Sequence, residues 1–242
     1  MGRQEHLKRL RMLSGQVSQR LREQPGHEAL HVDMTRRLEG GPSVEVARAF
    51  ESDRIRYGRL FYAEHEEVPS IFSLLLVPRA RWGSAVFGAL QALGQEALDL
   101  VLYDAYEVGD VASPESQDPG LGAPQTPGHV DLSRLPPKVR AAFGDEAWMW
   151  RSLSFLEAET TIDDFHRALD EWWSGLKDVP ETTPSVVEPR RKGHQSYVDG
   201  LRRRESAASA NLERLLGPSL KVDPFLKRFY FPVNLDSPQG GA

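Results

Sequence analysis

The chain has 242 residues, 40% of them hydrophobic and 27% charged, which is enough apolar content for a buried core and too much for a disordered chain. It carries no cysteine, which excludes disulfides, thiolate metal sites and a cysteine nucleophile, and which fits a cytoplasmic location. The net charge of −5 is uneven: residues 1–60 sum to +4, residues 61–188 to −14 and residues 189–242 to +5, so the basic ends either dock on the acidic centre or meet an anionic partner.

Residues 3–24 read as a helix, because Leu7, Leu10, Leu13, Val17 and Leu21 recur at spacings of three and four. Pro25–Gly26 breaks it. From Leu30 the period becomes two: Leu30, Val32 and Met34 alternate with His31, Asp33 and Thr35, as in a half-buried strand. Gly40–Gly41–Pro42 ends that strand. Ser43 then predicts an N-cap for a helix carrying Val46, Ala49 and Phe50. IFSLLLV (71–77), between Pro69 and Pro78, predicts a buried strand. Residues 82–95 read as a helix with Trp82, Val86, Ala89, Leu90 and Leu93 on one side, and LDLVLYDAYEV (98–108) as a further strand.

Residues 111–137 hold six Pro and three Gly, which predicts a long loop or linker. Beyond it DEAWMWRSLSFLEAE reads as helical. TTIDDFHRALDEWWSGL makes a stripe of Ile162, Phe165, Leu169, Trp172 or Trp173, and Leu176, with Thr161 and Asp164 as a capping box. DVPETTPSVVEP is a second loop, and a last helix runs over 196–216. The fold class is therefore α+β. A small mixed unit of about three strands spans 1–110, and a mainly helical region with a flexible tail spans 138–242. No run of about 18 apolar residues occurs, so no membrane segment is expected. The N-terminus lacks the apolar core of a secretory signal. The excess of Arg over Lys reads as a GC-rich bacterial genome.

Residues 27–31 spell HEALH. This resembles the H-E-x-x-H motif of the zincin peptidases, and the resemblance covers these five residues alone. It implies His27 and His31 as zinc ligands one helical turn apart, with Glu28 activating water. Zinc belongs to that reading only; otherwise no cofactor is expected. The surroundings favour a strand, on which His27 and His31 would stand about 13 Å apart and could not share an ion. Solvent-facing histidines at a strand edge are the preferred reading.

Two other features carry chemistry. PRRKGHQSYVDGLRRRES (189–206) offers Arg190, Arg191, Lys192, Arg202 and Arg203 to a phosphate backbone, the alternative being a solvated face. Trp172 and Trp173 are neighbours 100° apart on a helix, so one ring is available to a partner if the other packs inward. No P-loop, G-x-G-x-x-G or G-x-S-x-G occurs. By elimination the functional expectation is a non-catalytic cytoplasmic protein that binds another macromolecule as a regulatory, assembly or immunity component. The docking surface is then Trp172 and Trp173. Nucleic-acid binding and zinc peptidase activity are the alternatives.

Overall fold

The computed structural model describes residues 2–30, 43–64, 66, 69–83, 85–108, 130, 147–203 and 226–236, with backbone alone for 43–45, 203 and 226. Seven strands form one sheet in sequence order: β1 (Glu28–Leu30), β2 (Ser43–Glu51), β3 (Ile55–Glu64), β4 (Ser70–Pro78), β5 (Ala85–Leu93), β6 (Ala97–Glu107) and β7 (Trp148–Ser154). Every neighbouring pair is antiparallel. Helix α1 (Arg3–Arg22) precedes the sheet, and α2 (Thr161–Asp178) and α3 (Pro184–Arg203) follow it.

Both faces of the sheet carry packed clusters, the second covered less completely than the first. Against the first face lie the predicted stripe of α1 and the stripe of α2. Phe165 meets Phe72 edge-on at 5.4 Å and Tyr103 at 5.7 Å, the geometry ring quadrupoles favour. Trp172 Nε1 donates to the Ala85 carbonyl at 3.1 Å, so the indole is satisfied inside the core. Gly58 stands opposite Phe50 in the β2–β3 register. A Cβ there would lie 2.1 Å from Phe50 Cζ, so only glycine lets the ring cross the strand.

Against the second face lie α3 and the segment Leu226–Asp236. Val198, Phe229, Tyr230, Phe231 and Leu235 pack on Tyr57, Phe61, Val77 and Val86. Gly193 lies over Val108, and Tyr197 stacks on Tyr106 at 4.2 Å, so α3 runs along the end of β6.

Seven strands replace the expected three or so. Residues 43–51, 85–93 and 148–154, each read as part of a helix, are strands. The reason is common to all three. A strand covered on both faces has apolar residues at odd and even positions. In AVFGALQAL, Val86 and Leu90 point one way and Ala89 and Leu93 the other, and the mixture imitates a helical period. β7 comes from the region expected to be helical and pairs directly with β6. The second loop is also corrected, since α3 begins at Pro184, where proline's fixed φ suits a first helical position. Most of the 111–137 loop and residues 204–216 of the last helix lie outside the described residues.

Candidate functional site

The second face carries a row of side chains that its covalent order scatters over 46 residues. Arg59 on β3 stands opposite Leu75, Leu75 opposite Gly88, and Gly88 opposite Asp104 on β6. Strands lie about 4.8 Å apart, so the row spans about 14 Å. A parallel row one pleat away runs Phe61, Ser73, Leu90, Leu102. Asp104 and Arg59 are each only 2% exposed. A guanidinium buried on a mainly apolar sheet face is costly unless something is paired with it.

Arg59 is held from two sides. Its Nη1 donates to Ser73 Oγ at 3.0 Å, and its guanidinium lies 3.8 Å from the centre of the Tyr230 ring and 5.5 Å from that of Phe231. Arg59 Nε is buried and has no hydrogen-bond partner among the described residues. The segment that brings Tyr230 here is tied down along its length. Tyr57 Oη donates to the Phe229 carbonyl. Gln195 of α3 accepts from Leu235 N and donates to the Val233 carbonyl, both at 3.0 Å. Asp236 accepts from Arg56 at 2.6 Å and from Arg191 at 2.7 Å. The hydrogen bond from Arg56 is the first reason its carboxyl sits below the usual carboxylate range. Burial pushes the Tyr57 phenol above its ordinary value, which keeps it a donor.

Among the described residues, the floor between the two charged residues is open: none of their atoms lies within 4 Å of where a Cβ on Gly88 would be. Ile71, Leu90, Ala92, Leu100 and Leu102, which share this face by alternation, are only half-buried. The result is an apolar floor with a cation at one side, a carboxylate at the other and an aromatic strap over the cation. That is the composition of a site for a flat or extended molecule carrying an acidic group.

The residues singled out from the sequence lie elsewhere. His27 precedes β1, its ring 5.5 Å from Phe50. Glu28 is exposed at the start of β1, whose Glu28–Leu30 backbone is a strand and not the helix that the zincin geometry requires. His31 lies outside the described residues, among which no group of three metal-ligating side chains occurs. Trp172 and Trp173 are both buried in the first-face core. Arg190 is buried. Arg191 pairs with Glu188 and Asp236, Lys192 lies 3.8 Å from Glu188, and Arg202 pairs with Asp199. The Arg203 side chain lies outside the described residues.

Arg59, Ser73, Gly88 and Asp104 went unnoticed in the sequence. A signal was there for two of them: Asp104 has the same parity as Leu102 and Tyr106, and Arg59 the same parity as Tyr57 and Phe61. Each is a charge at a core position of a strand.

No described protein family and no curated protein matches the chain. Among solved structures, phytochromobilin synthase from tomato in complex with biliverdin superposes with a TM-score of 0.65, covering 97% of this chain and 85% of that one at 14% identity. The chain shares its fold. This corrects the functional expectation. The non-catalytic macromolecule-binding reading rested on elimination, whereas the solved protein of the same architecture is a synthase holding a small molecule. No described helix is long and apolar enough to cross a membrane.

Proposed function

We propose that the second face of the sheet binds an open-chain tetrapyrrole of the biliverdin class and that the chain is an enzyme acting on it. The observation that carries this reading is the row Arg59–Leu75–Gly88–Asp104, two buried charges flanking an open apolar floor, on a fold shared with a biliverdin-bound synthase. Each property of the row has a counterpart in such a ligand. The pyrrole rings are flat and apolar and lie along Gly88 and Leu90. A propionate accepts from Arg59 Nε, the donor that lacks a partner among the described residues. The pyrrole nitrogens come within reach of Asp104, which exchanges a proton with the bound rings as general acid and base.

The absence of cysteine supports turnover. With no thiol the chain cannot hold a bilin through a thioether, so the ligand binds and leaves. It also suits a reducing cytoplasm. Arg191, Lys192 and Arg202 of α3 lie within ion-pair distance of Glu188, Asp236 or Asp199, and we assign them no nucleic acid.

The test is a titration with biliverdin followed by visible absorption, for the wild type and for Asp104→Asn. Saturable binding at micromolar concentrations is expected in both. In the wild type the spectrum of the bound pigment changes with pH, and in Asp104→Asn that change is lost. A wild-type chain that leaves the pigment spectrum untouched, or a variant with the same pH response, contradicts the proposal.

A further inference from the structure

A second cavity, of about 260 Å³, opens at the β1 edge of the sheet between the C-terminal half of α1 and strands β1 and β2. It is separate from the row of Arg59 and Asp104. Its walls are mostly apolar, with Leu21, Leu30, Phe50 and Leu60 among the lining residues. Two buried polar atoms, Ser18 Oγ and His27 Nδ1, have no hydrogen-bond partner among the described residues. Ser18 is 6% exposed, so solvent at the surface does not serve it.

Unsatisfied buried donors cost about 1–3 kcal/mol each, and a pair of them on one cavity calls for an occupant. The charges at the cavity indicate its kind. Arg22 and Arg48 line it, and among the described residues no carboxylate does. Arg22 spends one donor on the Ser18 carbonyl at 3.3 Å. Arg48 is exposed and has no ion pair among the described residues. The cavity is smaller than typical drug-sized pockets of about 300–1,000 Å³, which limits the ligand to a short molecule.

We infer that this cavity is a binding site for a short amphiphilic carboxylate, its chain against Leu21, Phe50 and Leu60. Its carboxylate accepts from Ser18 Oγ and from His27 Nδ1–H and faces Arg22 and Arg48. His27 thereby gains a role that needs no metal. The same residue drew attention in HEALH, but here it acts with a serine one helix away.

Octanoate and octanol, titrated by calorimetry, test the assignment. Octanoate is expected to bind the wild type and octanol more weakly, because the alcohol lacks the charge that the arginines meet. Arg48→Glu, at an exposed position, should leave the fold intact by circular dichroism and weaken octanoate about tenfold, the equivalent of 1.4 kcal/mol. Ser18→Ala should weaken it too, and alanine is the better helix former. Gly88→Leu on the second face should leave octanoate binding unchanged, which separates this site from the tetrapyrrole site. No octanoate binding at millimolar concentration would mean that water alone meets the two donors and would overturn the inference. Equal binding of octanol and octanoate, or an unchanged affinity in Arg48→Glu, would overturn the carboxylate assignment.

Discussion

Lowering the pH from 7 to 5 should destabilise the chain through a single buried histidine. His6 of α1 has no exposed surface, and both its ring nitrogens are buried without a hydrogen-bond partner among the described residues. Burial holds its pKa down at about 4 against an ordinary 6.5. Gln91, facing the ring, opposes part of this shift, and the nearby Arg9 cation adds to it. Gln91 is itself fixed, donating to Tyr103 Oη at 2.5 Å, which donates to the Thr161 carbonyl at 2.6 Å. The imidazole is therefore neutral in the folded chain. Between pH 6.5 and 4 the unfolded chain binds a proton that the folded chain refuses, so stability falls as pH falls. A shift of about 2.5 pH units corresponds to about 3 kcal/mol in full, of which about 2 kcal/mol is lost by pH 5. Urea unfolding at pH 7 and pH 5, for the wild type and for His6→Gln, measures it. His166 is also depressed by burial and contributes with the same sign, so the wild-type-minus-variant difference is the quantity that matters. A difference near zero, or a His6 resonance titrating near 6.5, would refute the reasoning.

Other substitutions follow from the same contacts. Gly58→Ala places a Cβ against Phe50 and should cost about 1–3 kcal/mol in urea unfolding. Trp172→Ala empties the centre of the first-face core and removes the bond to Ala85, for a loss of about 3–5 kcal/mol and a lower melting temperature. Asp236→Asn loosens the strap, so hydrogen exchange over 226–236 should quicken while that of α2 is unchanged. In the wild type the same loosening should appear on acidification below the ordinary carboxylate pKa, as Asp236 protonates and releases Arg56 and Arg191.

Helix α1 and helix α2 were legible in the sequence because each buries one stripe and leaves the other face wet. The spacing of Leu7, Leu10, Leu13, Val17 and Leu21 survives intact. β4 and β6 were legible because prolines frame the first and the second keeps an alternating end. β2, β5 and β7 were not, since a strand buried on both faces loses its period-two signature. In β5 the small residues Ala85, Ala89 and Ala92 even favour a helical reading. The site was less legible than the fold. Arg59, Gly88 and Asp104 belong together only through strand register, which no single segment encodes. HEALH drew attention because its letters are contiguous, yet β1 gives its Glu28–Leu30 stretch an extended backbone.

Gly88→Leu tests the central claim most directly. Among the described residues the space above Gly88 is open, and leucine suits a strand better than glycine, so the variant should be at least as stable as the wild type, by up to about 1 kcal/mol. It also fills the floor of the proposed tetrapyrrole site. The account predicts an unchanged or raised melting temperature together with loss of biliverdin binding. A stable variant that binds biliverdin as well as the wild type would show that the ligand does not lie on this face.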